Sequence, residues 1–108
     1  MSIYNKLVRD RIPVIIEATN KKYTIRTLAP SEHEIEIKRK LIEELKEYQE
    51  ATSNEEAIEE LADLLELIYA VLPLHGSTMK ELEDIRVKKH AQRGGFEKGY
   101  YLIEVEDE

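Results

Sequence analysis

The residues with the clearest chemical potential are four carboxylates arranged as two pairs. Glu44 and Glu47 stand three residues apart, and so do Glu60 and Asp63. Residues three apart share one face of an α-helix, with Cβ atoms about 5–6 Å apart, so each pair can share a ligand. A turn between the two segments would bring the pairs together as an all-oxygen site. Such a site suits Mg²⁺, or Mn²⁺, rather than zinc, which prefers nitrogen and sulfur ligands.

The surroundings of Asp63 bear on whether these acids form a metal site or a solvated acidic stripe. Acidic helix faces are common, and E-x-x-E spacing often arises by chance. Asp63, however, lies among Ala62, Leu64 and Leu65, in the helix that we expect to be most buried. A buried carboxylate is costly unless a cation or donor compensates it, so this position favours a metal. The E-x-x-H motif of di-iron bundles is absent, which argues against redox iron chemistry.

The sequence predicts three long helices that would position these acids. Three residue pairs have the spacing of a capping box, which marks a helix start: Ser31 and Glu34, Ser53 and Glu56, and Thr78 and Glu81. The first helix ends before Thr52, the second at about Leu74, where Pro73 and Gly76 stop it, and the third at about Gln92. The segment from Leu64 to Leu74 is apolar nearly all round, so we expect it to be the most buried element.

Shorter elements are predicted on either side of these helices. Met1 to Asn20 contains a short helix that Pro13 helps to start. Tyr23 to Leu28 and Tyr100 to Val105 have the composition of strands and are expected to pair as a two-stranded ribbon. The predicted fold is mainly α, a helical hairpin plus a third long helix with a small β ribbon. Residues 1–108 form one domain, which is expected to complete its small core as a homodimer or homotetramer.

Charge and composition exclude several classes of function. The formal net charge is −7, and the segment from Glu43 to Glu66 alone holds ten acidic residues against one base, Lys46. A nucleic-acid polymer as partner is disfavoured, because binding its phosphates requires a basic surface. Absence of cysteine excludes disulfides and thiolate metal sites. No apolar run approaches the roughly 18 residues of a membrane span, and no leader opens the chain, so we expect a cytoplasmic protein without membrane contact.

The acidic motifs resemble those of the MazG-like, all-α nucleoside triphosphate pyrophosphohydrolase superfamily, which includes phosphoribosyl-ATP pyrophosphohydrolases and dimeric dUTPases. Its hallmark is E-E-x-x-E followed by E-x-x-D, matched here by Glu43–Glu47 and Glu60–Asp63. The opening Tyr4–Pro13 and the closing Arg93–Phe96 look like a subgroup of short house-cleaning enzymes. The resemblance covers essentially the whole chain.

This resemblance implies hydrolysis of a nucleoside triphosphate, non-canonical ones included, or of a related nucleotide such as phosphoribosyl-ATP. The products would be the monophosphate and pyrophosphate. By the resemblance, Glu44, Glu47, Glu60 and Asp63 would hold Mg²⁺, which would lower the pKa of an attacking water. One of the ligating glutamates, such as Glu47, or Glu43 beside them, would accept the proton of that water, and the sequence leaves the choice open.

The nucleotide phosphates also require cations from the protein. Arg93 precedes two glycines, which let the backbone approach a phosphate, and Lys89 lies one helical turn earlier. Both positions also suit an ordinary helix C-terminus, where cations interact favourably with the dipole. Lys6 and Arg9 are further candidates for substrate binding, although Arg9 could instead fasten the N-terminal segment to the helices.

Two other functions remain open on the sequence alone. The acidic hairpin could be a protein-docking module, or the site could bind metal and nucleotide without turnover, as in a sensor. A docking surface has no need of an acid inside an apolar helix, so Asp63 favours metal binding. Only an enzyme would release pyrophosphate.

Overall fold

The fold is all-α over residues 2–107, the part of the chain that this computed structural model describes, and no strand occurs among them. The helices are α1 (Ile12–Glu17), α2 (Pro30–Glu50), α3 (Asn54–Val71), a 3₁₀ helix (Leu72–His75) and α4 (Met79–Arg93). The chain divides into two compact units, Met1–Gly76 and Ser77–Glu108. Met1 and Glu108, the ends of the predicted single domain, lie outside the described residues. No described helix has the length and apolar character that a bilayer span requires.

The first unit is built on an antiparallel hairpin of α2 and α3, as the sequence predicted. The turn between the helices is only three residues long, which forces α3 to run back along α2. His75 Nδ1, just beyond α3, accordingly lies 3.5 Å from Glu34 Oε1 in the first turns of α2. Ile37 and Leu72 are the buried apolar residues of the described chain, so the core is small and lies along this hairpin.

Two of the three predicted helix caps are confirmed. The Ser53 hydroxyl accepts from the Glu56 amide at 3.1 Å, and the Thr78 hydroxyl accepts from the Glu81 amide at 3.1 Å. The predicted cap at Ser31 is wrong, because α2 begins at Pro30 with Ala29 as its N-cap and no side-chain cap. Proline needs no amide hydrogen-bond partner and has a helical φ, so α2 starts at Pro30, two residues before the first helical position that a cap at Ser31 would give.

The expectation that Leu64 to Leu74 is the most buried element is met at Leu72, which is 8% exposed, but not along α3. No residue of α3 is fully buried, and Leu65 and Ile68 are 47% and 37% exposed. A hairpin covers only the side of each helix that faces the other, and the remaining apolar side stays open. The helix also ends at Val71, because Pro73 favours the tighter 3₁₀ turn that Gly76 closes with a φ of 67°.

The predicted β ribbon is not formed. Both Tyr23 to Leu28 and Tyr100 to Val105 lack strand structure, and Ile25 and Ile103 are 59% and 86% exposed. Strand-forming residues favour strands mainly when they pack on a half-buried surface, which neither segment has here. The predicted short N-terminal helix is confirmed as α1, with Pro13 in its first turn.

Candidate metal centre

The hairpin brings the predicted carboxylates together in two overlapping groups. In the first, Glu43, Glu44 and Glu47 of α2 can each present an oxygen within 4.8 Å of the others. In the second, Glu44 joins Glu60 and Asp63 of α3 at the same separation. Glu44 therefore belongs to both groups and links the acidic motifs of the two helices. The i, i+3 spacing and the three-residue turn produce this convergence.

Glu44 is the buried charged residue of the described chain, at 6% relative exposure. One of its carboxylate oxygens, Oε2, has no hydrogen-bond partner within residues 2–107, and neither has Oε2 of Glu60. Buried polar atoms are nearly always satisfied, since leaving them unpaired is costly. Two such oxygens on neighbouring helices fit the binding of a cation with a preference for oxygen ligands.

The two groups together form one acidic cluster of Glu43, Glu44, Glu47, Glu60 and Asp63. The electrostatics of this cluster also favour a cation. Burial raises the pKa of the Glu44 carboxyl from 4.5 to about 8, and its contact with Glu60 and the charges of Glu47 and Asp63 act in the same direction. A group with this pKa holds its proton at neutral pH. A divalent cation between these acids would attract the ionised carboxylate, oppose these effects and allow Glu44 to ionise.

The predicted burial of Asp63 is wrong, and Glu44 is the buried acid instead. The Asp63 side chain is 37% exposed, whereas Glu44 is 6% exposed. Leu41 follows Ile37 after four residues, and Glu44 follows Leu41 after three. Glu44 therefore continues the stripe of α2 that faces α3. This spacing is visible in the sequence and could have identified Glu44 as the buried ligand.

Two cations of the first unit contact the cluster. Arg9 Nη2 donates a hydrogen bond to Asp63 Oδ1. Lys40 Nζ lies 3.3 Å from Glu43 Oε1 and 3.8 Å from Glu44 Oε1. Sequence reasoning missed Lys40, although it stands three and four residues before these acids on one helix face.

The other predicted phosphate-binding residues have the following surroundings. Lys6 lies with its Nζ 5.8 Å from the centre of the Tyr4 ring. Lys89 and Arg93 are exposed residues of α4, in the second unit. Gly94, with a φ of 81°, ends that helix and donates its amide to His90 O at 2.7 Å. For Lys89 and Arg93 a role in phosphate binding therefore remains a prediction.

Comparison with known proteins supports the resemblance seen in the sequence. The family model described as phosphoribosyl-ATP pyrophosphohydrolase matches residues 5–90 of the chain. The match includes both acidic motifs, Lys6, Arg9 and Lys89, and it ends before Arg93. No curated protein and no solved structure matches the chain.

Proposed function

The chain belongs to the phosphoribosyl-ATP pyrophosphohydrolase family, within the MazG-like superfamily, and on this premise we propose that it is a Mg²⁺-dependent nucleotide pyrophosphohydrolase. Its substrate would be a nucleoside triphosphate, non-canonical ones included, or a related nucleotide such as phosphoribosyl-ATP. The products would be the monophosphate and pyrophosphate. The observation that carries this proposal is the pair of unpaired buried oxygens on Glu44 and Glu60, since a metal site is what the reaction requires.

Four acids would hold the Mg²⁺ or Mn²⁺ ion: Glu44, Glu47, Glu60 and Asp63. When bound, a divalent cation neutralises phosphate oxygens and lowers the pKa of a coordinated water. Glu44 and Glu60 would supply ligands from two different helices, so the hairpin fixes their separation before any ligand arrives. Such preorganisation limits the entropy lost on binding.

Glu43 and Glu47 are the exposed acids of the cluster and the candidates for accepting the proton of the attacking water. Both can approach Glu44 within 4.8 Å. Lys40 already forms an ion pair with Glu43, whereas no ion pair within residues 2–107 involves Glu47. The Glu47 carboxylate is therefore freer to turn toward a water, and we propose that Glu47, rather than Glu43, accepts the proton of the attacking water.

Positive side chains of the N-terminal segment and of α4 would bind the phosphates. Arg9 is already among the acids, through Asp63, and Lys6 lies three residues before it. Lys89 and Arg93 stand four residues apart on α4 and therefore share one face of that helix. Arginine is suited to this task because its planar guanidinium can bind two phosphate oxygens at once.

We also propose that the hairpin pairs with a second copy of the chain. Ile58, Leu61, Leu65 and Ile68 recur on α3 at intervals of three and four residues, and each is at least 37% exposed. This spacing is that of a helix–helix seam, and no described helix of the first unit covers this face of α3. On α2, Ile42 and Leu45 are 70% and 47% exposed. A dimer with α2 and α3 from each copy would form a four-helix bundle.

A screen for pyrophosphate release tests the proposed reaction. Purified protein would be incubated with Mg²⁺ and ordinary, deoxy and damaged nucleoside triphosphates, and with phosphoribosyl-ATP. We expect release from at least one substrate, and a loss of at least about 100-fold in Glu44→Gln and Glu60→Gln. Glu66→Gln, which neutralises an exposed acid of α3 outside both carboxylate groups, is the matched control.

This screen, together with calorimetry of Mg²⁺ and nucleotide binding to the same protein, separates the three functions. Release that survives both Glu44→Gln and Glu60→Gln would exclude the assigned site. Binding of Mg²⁺ and nucleotide without release would identify a sensor. Absence of both metal binding and release would leave the acidic hairpin as a docking module.

A further inference from the structure

Arg9 joins the N-terminal segment to α3 through Asp63, 54 residues away in the sequence. Within residues 2–107, the other ion pairs link residues at most six positions apart, except for His75 with Glu34. The Arg9–Asp63 pair is therefore one of two long-range contacts between a basic and an acidic side chain within residues 2–107. It attaches the segment before α1 to the edge of the acidic cluster.

The same Asp63 carboxylate has two uses. It accepts a hydrogen bond from Arg9, and it also belongs to the group that Glu44 and Glu60 complete. In the structure, the Arg9 guanidinium neutralises the charge of Asp63. A cation bound by Glu44, Glu60 and Asp63 would neutralise the same charge. Arg9 and a metal ion would thus compete for one carboxylate.

Little holds Arg9 in this position. Its side chain is 60% exposed and that of Asp63 is 37% exposed, and ion pairs this exposed are weak. The described segment before α1 is almost entirely exposed, with only Leu7 half-buried. Its backbone is nevertheless tied to α1, because the Ile12 amide donates to Arg9 O at 3.0 Å. The guanidinium can therefore leave Asp63 while the Arg9 backbone stays beside the cluster.

We propose that Arg9 is an exchangeable counter-ion, a role that rests on the proposed function. In the metal-free protein it neutralises Asp63. When a metal ion takes Asp63, the guanidinium moves to the phosphate oxygens of the nucleotide, which it can bind bidentately. Arg9 thus opposes binding of the metal alone and favours binding of metal and nucleotide together. Binding of the metal ion therefore raises the affinity for the nucleotide, and binding of the nucleotide raises the affinity for the metal ion by the same factor.

The competition is tested by titrating metal-free protein with Mn²⁺ alone, by calorimetry. Arg9→Ala is expected to bind Mn²⁺ about two- to fivefold more tightly than the original protein, the range that an exposed ion pair supports. Arg9→Lys, which keeps the charge, is expected to remain close to the original. Arg11→Ala is the matched control, because it removes a neighbouring exposed charge that forms no ion pair within residues 2–107.

The transfer to phosphate is tested with a non-hydrolysable triphosphate analogue at saturating Mn²⁺, where Arg9→Ala should bind it at least about fivefold more weakly.

Each result decides a different claim. Equal Mn²⁺ affinity in Arg9→Ala and Arg11→Ala, or weaker binding in Arg9→Ala, would overturn the exchange while leaving the metal site intact. Unchanged binding of the analogue would overturn the transfer to phosphate. No Mn²⁺ binding by any form would overturn the metal site itself, and the exchange with it. A double-mutant cycle of Arg9→Ala and Asp63→Asn in EDTA measures the ion pair separately, and additive effects on melting temperature would exclude it.

Discussion

Glu44 of α2 and Glu60 of α3 present carboxylate oxygens within 4.8 Å of each other across the hairpin. In each residue one carboxylate oxygen, Oε2, is buried and has no hydrogen-bond partner among the described residues. In a protein without a ligand this arrangement opposes folding, because two acids share a space that excludes water. The same arrangement is useful for binding a divalent cation, since the repulsion between the acids is relieved when the ion arrives.

The first prediction concerns the stability of the metal-free protein against pH. Burial and neighbouring acids raise the pKa of Glu44 from 4.5 to about 8 in the folded state. Between these values the unfolded chain releases the proton while the folded chain keeps it, so stability falls as pH rises. Below about pH 4.5 the contribution is fully present, and above about pH 8 it is lost. The loss is on the order of a few kcal/mol.

Thermal denaturation in EDTA between pH 5 and pH 9 would measure this contribution. Glutamine resembles the protonated acid, so Glu44→Gln should be more stable than the original protein at pH 9, with the difference shrinking toward pH 5. Glu66→Gln controls for the loss of one acid from the same hairpin. A constant difference between Glu44→Gln and the original protein across this range would show that Glu44 titrates normally.

The second prediction is that Mg²⁺ stabilises the protein through this cluster. A ligand that binds only the folded state at 100 times its dissociation constant adds about 2.7 kcal/mol to the free energy of unfolding. We therefore expect a rise of several degrees in melting temperature at pH 7.5 on adding Mg²⁺. Calorimetry in buffers of different ionisation enthalpy should also show proton release, because Glu44 must ionise to bind the metal.

Substitution of the ligands provides the control for this prediction. Glu44→Gln and Glu60→Gln should lose the Mg²⁺-dependent rise, whereas Glu66→Gln should keep it. An equal rise in all four forms would mean that Mg²⁺ acts by screening the net charge of −7 and does not occupy a site.

The sequence predicted the local features of the site, and the reason is that they depend on short-range geometry. The spacing of Glu44 and Glu47, and of Glu60 and Asp63, fixed the helix faces, and a short turn was enough to bring the faces together. The caps at Ser53 and Thr78 were predicted for the same reason, since a cap depends on residues within one turn.

The features that the sequence did not predict depend on contacts between distant segments. The pairing of Arg9 with Asp63 spans 54 residues, and no local pattern specifies it. The predicted ribbon failed because strand composition gives no stability without a surface to pack on. The burial of Asp63 was overestimated because an apolar helix was assumed to be covered on all sides, while the hairpin covers only one.

The third prediction concerns the side-chain caps at the starts of α3 and α4. Ser53→Ala and Thr78→Ala should each lower the free energy of unfolding by about 1 kcal/mol, because each leaves a helix amide unpaired. Ser31→Ala is the matched control, since Ser31 lies inside α2 and caps nothing. Chemical denaturation would measure these differences, and an equal loss in Ser31→Ala would contradict the assigned start of α2 at Pro30.

The fourth prediction concerns the apolar face of α3. Leu61 and Leu65 are 41% and 47% exposed, and the proposed second copy would bury both. Leu61→Glu combined with Leu65→Glu should therefore convert the oligomer to monomers, because it places four charges at a two-fold seam. Light scattering after gel filtration would measure the molar mass. Val87→Glu, at an apolar residue of α4 that is 50% exposed, is the control and should leave the mass unchanged. A monomeric original protein would exclude the four-helix bundle, while loss of the oligomer in Val87→Glu alone would place the interface on α4.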